Sequence, residues 1–209
     1  MSFDLWLTFA AASLALLLIP GPTVLLVLSY ALSKGRSVAV ASAAGVALGD
    51  LAAMSASLAG LGALVLASAT LFTALKWVGA AYLIYLGVKL IRSAPTSGLD
   101  MPQADDITAS RVFGHTAAVT ALNPKSIAFF IAFVPQFIRP DAALLPQFTI
   151  LIATFVTLAA LNALAYALAA DRLRRVISRP NIIVWITRAG GGALIAMGVL
   201  TATLRRSTS

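Results

Sequence analysis

Between His115 and Arg139 the chain is almost wholly apolar and long enough to cross a bilayer, yet its middle reads Thr120-Ala121-Leu122-Asn123-Pro124-Lys125-Ser126. A lysine in such a run costs roughly 3 kcal/mol on insertion scales, so the fold has to supply it with partners. Asn-Pro is also a helix-start signal: Asn123 can cap, and Pro124 suits the first helical position because it lacks an N–H. If the helix instead runs through, Pro124 leaves the carbonyl of Thr120 without its partner. Backbone groups freed in this way persist only beside protein or a watery cavity. Two readings follow. One is a kinked packing helix whose Lys125 snorkels; the other is a substrate site where a helix N-terminus and an ammonium both face an anion.

A second break has the same character. Leu18-Ile19-Pro20-Gly21-Pro22-Thr23 lies inside the first apolar run, between Asp4 and Lys34. Pro20 and Pro22 would orphan the carbonyls of Leu16 and Leu18, and Gly21 lets the backbone bend. Two proline-broken helices in a small membrane protein point to a transport site.

With 60% hydrophobic and 11% charged residues and a mean hydropathy of +0.96, residues 1–209 read as one transmembrane domain. The start does not read as a cleaved signal peptide, because Asp4 and no basic residue precedes the apolar run, which continues past Pro22. With no cysteine, disulfides and thiolate metal sites are excluded. The net charge of +8 sits in loops between apolar runs, which is a topology signal and not a nucleic-acid face. The expected surroundings are lipid.

Six spans can be drawn, at about 5–32, 38–67, 74–91, 112–138, 144–170 and 182–204, with a polar connector over 93–111. Short basic or polar turns separate them: Ser33–Ser37, Ser68–Thr73, Arg139–Asp141, and Asp171–Arg175 with Arg179. The connector carries Asp100, Asp105 and Asp106. Ten lysines and arginines fall in or beside the loops after spans one, three and five, and four on the other side. That bias predicts both termini outside the cytoplasm. Trp6, Trp77 and Trp185 lie near span ends, as interfacial tryptophans do. Spans one to three and four to six form two triplets, each with an odd number of crossings, so a duplicated triplet must be inverted. The expected fold is therefore an all-α membrane protein of two inverted three-helix repeats, with helices 1 and 4 broken at equivalent positions. Such halves can rock about a central site.

Asp50 stands in Gly45-Val46-Ala47-Leu48-Gly49-Asp50, where the glycine pair lets another helix approach closely. It reads either as a structural partner of Lys125 or as a carboxyl on a substrate path, able to exchange protons or meet an amino group. The Gly45/Gly49 pair could serve packing within the chain or in a homo-oligomer. Asn162 and Tyr166 are four apart and share a helix face; they could bond across the bundle or to a ligand. Tyr82 and Tyr85 read as structural, and His115 as a solvated interfacial histidine. The chain has no glutamate, no metalloprotease or nucleophile-elbow motif and no phosphate-cradling loop, so neither an enzyme nor a cofactor is expected.

These residues resemble the lysine and homoserine/threonine exporters (LysE/RhtB) over nearly the whole chain. The likeness rests on Pro20-Gly21-Pro22, Lys34-Gly35, Gly45 and Gly49, and on Leu75-Lys76-Trp77-Val78-Gly79-Ala80-Ala81-Tyr82-Leu83 through Gly87. It continues in Asn123-Pro124-Lys125-Ser126, Pro135-Gln136-Phe137-Ile138 and Gly190 to Gly192. The resemblance implies a six-span carrier of the inner (cytoplasmic) membrane that exports amino acids or close derivatives, driven by protons. Many relatives carry an acidic residue in span five where this chain offers Asn162, which leaves proton coupling to Asp50.

The predicted substrate site is accordingly Pro20, Gly21, Pro22, Asn123, Pro124, Lys125 and Asn162. The cargo carboxylate would dock at the Asn123–Lys125 helix start and its amino group on carbonyls freed near Pro20–Pro22. Asp50 would pair with Lys125 or take the proton. Two rivals remain: a cation or metal exporter of related architecture, for which one buried acid offers few ligands, and a scaffold subunit without cargo.

Overall fold

In the computed structural model the described residues are 1–34, 38–92, 108–139, 142–170 and 180–203. The turn at Gly35 and Arg36, the connector acids, the Pro140–Asp141 turn, the basic run from Asp171 through Arg179, and Arg205-Arg206 lie outside them.

Every described element is helical. In order they are α1 (Phe3–Leu18), α2 (Pro22–Lys34), α3 (Ala39–Ala67), α4 (Ala69–Arg92), α5 (Ala109–Ala121), α6 (Pro124–Ala132), a 3-10 turn (Val134–Phe137), α7 (Leu144–Leu168) and α8 (Pro180–Thr203). Four helices are long and apolar enough to cross a membrane by themselves: Ala39–Ala63 of α3, Thr73–Arg92 of α4, all of α7, and Val184–Thr203 of α8. The pairs α1–α2 and α5–α6 pass the same test only when taken together, and they bend by 58° and 45°. Counting each bent pair as one span gives six.

The helix ends have identifiable causes. The Ser2 and Thr108 hydroxyls accept from Leu5 and Arg111 N–H and so cap α1 and α5. Pro22 opens α2 and Pro124 opens α6, first-turn positions that need no N–H. The expected link over Ser68–Thr73 shrinks to Ser68 alone, because its hydroxyl accepts the Leu71 N–H and α4 starts at Ala69. Gln147, 5% exposed, closes the turn before α7: its carbonyl oxygen accepts from Arg139 N–H, and its amide donates to the Arg139, Ala142 and Ala143 carbonyls.

Lipid tails are as apolar as leucine, so close packing rather than water exclusion holds the bundle together. α3 lies along α5 and α7, and α4 lies along α8. A Cβ placed on Gly45 would come within 2.5 Å of the Phe113 carbonyl, and one on Gly49 within 2.6 Å of the Ala117 carbonyl. The glycine pair thus serves packing within the chain, against α5. Gly87 and Gly191 do the same for α4 and α8, each missing the other's carbonyl by a similar margin. Gly49→Leu is expected to lose about 3 kcal/mol or more. That reads as a fall of roughly 10 °C in the melting temperature of the detergent-solubilised protein; an unchanged value contradicts this packing.

The buried phenylalanines gather around the C-terminal half of α6. Phe9, Phe129, Phe130, Phe133, Phe137 and Phe155 contact one another at centroid separations from 4.8 to 6.4 Å. They tie α1, α6, the 3-10 turn and α7 into one block, within the range of favourable aromatic pairs. α6 therefore runs from a polar start at Asn123 into a rigid apolar end.

Candidate functional site at the two helix breaks

Where α1 stops, four successive carbonyls lose the partners a continuing helix would give them. All four are taken by side chains. Lys125 Nζ donates to the Leu16 carbonyl at 3.1 Å and to the Ile19 carbonyl at 2.9 Å. Asn162 Nδ2 donates to Leu17 O at 3.1 Å, and the Tyr166 hydroxyl to Leu18 O at 3.0 Å. One of the four also closes a tight turn, Leu16 O accepting the Ile19 N–H at 3.2 Å. An ammonium at a helix C-terminus also meets the negative end of the helix dipole.

The second break sits alongside. Asn123 caps α6 through its side-chain oxygen, which accepts the Lys125 N–H at 3.0 Å, and its carbonyl accepts from Ile127. Its amide donates to Thr23 Oγ1 at 3.2 Å, and the Thr120 hydroxyl donates to the same oxygen at 3.4 Å. Thr23, the second residue of α2, thereby joins the two breaks. Its only sequence signal is its place directly after Pro22.

Asp50 of α3 is 2% exposed, and its Oδ1 is buried without a hydrogen-bond partner. Asp50, Thr23, Thr120, Asn123, Lys125, Ser126, Asn162 and Tyr166 line one cavity together with Leu16, Leu17 and Val24. Its volume is about 30 Å³, room for a water or two and far below the ~300 Å³ at which small-molecule sites begin. Admitting a larger guest requires the walls to separate.

Asn123, Lys125 and Asn162 therefore meet the first break in one place, and Asp50 shares the cavity wall, whereas Pro20, Gly21, Pro22 and the exposed Pro124 do not line it. Asp50 and Lys125 face the same cavity without direct contact. Among the described residues no ion pair joins them, because the ammonium is engaged by the Leu16 and Ile19 carbonyls instead. Nor does Lys125 snorkel. Tyr166 belongs with Asn162, and their shared face is explained by adjacent carbonyls at Leu17 and Leu18. Tyr82 and Tyr85 are exposed and pack on each other, with centroids 6.0 Å apart. His115 is exposed but linked: the Tyr30 hydroxyl lies 2.6 Å from its Nδ1, tying α2 to α5. Trp6 also has a partner, donating to Thr154 Oγ1 at 2.9 Å.

A bundle of apolar helices with two bent members and a polar cavity between the bends is the build of an integral membrane protein. Residues 14–205 match the model of the LysE type translocators, and the chain belongs to that family. It is 33% identical over 207 residues to a homoserine/homoserine lactone efflux protein of Salmonella typhimurium, covering 99% of this chain and all of that one. It is 31% identical to a leucine efflux protein of Klebsiella pneumoniae over 137 residues, 66% of this chain and 65% of that one. A membrane protein of Vibrio cholerae is 32% identical over 206 residues, 98% of this chain and all of its own length. No solved structure matches significantly.

Proposed function

We propose that the chain is a secondary transporter of the cytoplasmic membrane that exports amino acids or close derivatives by alternating access, coupled to protons. The observation that carries this reading is the convergence of α1's last carbonyls, the capped start of α6 and the buried Asp50 on one cavity. A zwitterion needs acceptors for its amino group and a positive helix end for its carboxylate, and the two breaks supply these side by side. Named relatives that export homoserine, its lactone or leucine support an amino-acid cargo.

The prolines at 20, 22 and 124 account for the breaks, since each removes an N–H that a straight span would use. Two inverted halves, α1–α4 and α5–α8, account for a bent span followed by two straight ones, twice over. Rocking of one half against the other would open the cavity to each side in turn. Asp50, whose Oδ1 is buried without a hydrogen-bond partner, is the group that takes and releases the proton. The distribution of basic residues supports an orientation with both termini outside the cytoplasm.

The test is efflux from cells preloaded with amino acids through dipeptide uptake, with and without a protonophore. The expected result is release of a subset of amino acids faster than in cells lacking the protein, abolished when the proton gradient is collapsed. Equal release with and without the protein overturns the function. Release that ignores the protonophore overturns the coupling.

A further inference from the structure

We infer that the Lys125 ammonium is a built-in stand-in for the amino group of the cargo, held on the carbonyls that the cargo takes and displaced to Asp50 when cargo binds. The inference rests on the transport reading above and adds how the site recognises its guest.

Three observations point to an exchange. First, the α1 end is a cradle of acceptors preset for an ammonium. Leu16 O and Ile19 O accept from one Nζ at 3.1 and 2.9 Å, and the intervening Leu17 and Leu18 carbonyls are held in place by Asn162 and Tyr166. A primary ammonium has three N–H donors, whether it ends a lysine or starts an amino acid, so the cradle treats the two alike. Second, the break itself lies against that ammonium: a Cβ on Gly21 would be in ordinary van der Waals contact with Nζ, at 3.5 Å. Third, Asp50 offers a destination. Its Oδ1 is a buried acceptor with no partner, on the wall of the same cavity as Lys125. A buried carboxylate oxygen left without a donor is costly, and an arriving ammonium removes that cost.

In the exchange the incoming ammonium donates to the Leu16 and Ile19 carbonyls, and Lys125 moves onto Asp50. After the exchange the cargo holds the carbonyls and Asp50 Oδ1 gains the donor it lacks at rest, so neither ammonium is stranded. The class selected is a primary ammonium. A compound whose amino group is acylated has lost the charge and two of the three donors and is excluded, whereas esterification of its carboxyl leaves the cradle contact intact.

Removing the stand-in should therefore open the cradle to any small primary ammonium. For purified Lys125→Met, methylammonium chloride is expected to raise the melting temperature by roughly 5 °C relative to the same concentration of sodium chloride, and wild type is expected to respond by less than about 1 °C. If Lys125→Met folds poorly, methylammonium in the growth medium should restore its folded yield. No stabilisation and no recovery of yield overturn the exchange. A second arm tests the destination. Asp50→Asn should weaken cargo binding about tenfold when Lys125 is present and leave it unchanged in the Lys125→Met background; equal weakening in both overturns that step. These are binding measurements on purified protein, so they stand apart from efflux. Cells that export nothing would end the transport reading, while a silent methylammonium titration would end the exchange whatever the cells export.

Discussion

Asp50→Asn should give a protein that is at least as stable as wild type and does not export. Its Oδ1 lies buried without a hydrogen-bond donor, and the side chain is 2% exposed. Replacing a buried, underpartnered carboxylate by a neutral amide of the same shape removes a desolvation cost of about 1–3 kcal/mol. The melting temperature is expected to stay level or rise. Proton-driven efflux should nevertheless fall by at least about tenfold, since an amide neither exchanges a proton nor receives a displaced ammonium as an ion pair. Efflux and thermal unfolding measured on the same preparation separate the two effects. A variant that is destabilised and inactive would mean that Asp50 is structural, and one that exports normally would remove it from the mechanism.

The second large effect is expected from giving the first span back its donors. In Pro20→Ala/Pro22→Ala the new N–H groups can serve the Leu16 and Leu18 carbonyls, which Lys125 and Tyr166 now occupy. A straight span through these positions would bear about 3 kcal/mol for an interior proline, a cost that the break between α1 and α2 avoids and the alanines remove. The double variant should therefore favour a straighter α1–α2 and melt higher than wild type. Lys125 would lose one of its two acceptors, and the 58° bend that brings α1's end to the cavity would relax. Export should fall by at least about tenfold despite the greater stability. Unchanged export would show that the bend is incidental to transport.

How much of this was legible in the chain differs from residue to residue. The apolar runs carry the all-helical architecture and the candidate spans, because length and hydropathy are local properties. The same holds for the Asn123 cap of α6, which depends on neighbouring residues alone. Lys125 is conspicuous because a charge in an apolar run is costly, but the carbonyls that satisfy it belong to Leu16 and Ile19, more than a hundred positions away. No spacing rule reaches that far, so the partners of the ammonium are read from the fold. Pro20 marks the Leu16 carbonyl as freed, but nothing local says that the Lys125 ammonium reaches it. Asn162 and Tyr166 show the boundary well: their separation places them on one face, and nothing local says that face meets Leu17 and Leu18. Thr23 carried no signal beyond its neighbours, and its role as the joint between breaks emerges only in three dimensions.

The absence of cysteine from the chain makes one experiment unusually clean. Ser126 is buried at the start of α6 and lines the cavity, whereas Ser68 lies at the α3–α4 turn. Ser126→Cys and Ser68→Cys would each carry a single thiol, and their rates of reaction with a membrane-permeant maleimide can be followed in the presence of amino acids. Transported amino acids, and not their N-acetyl derivatives, should slow labelling at position 126 by about tenfold at saturation and leave position 68 unaffected. If the Ser126→Cys protein exports its cargo and that cargo does not slow labelling there, the amino acid is held somewhere other than between the two breaks.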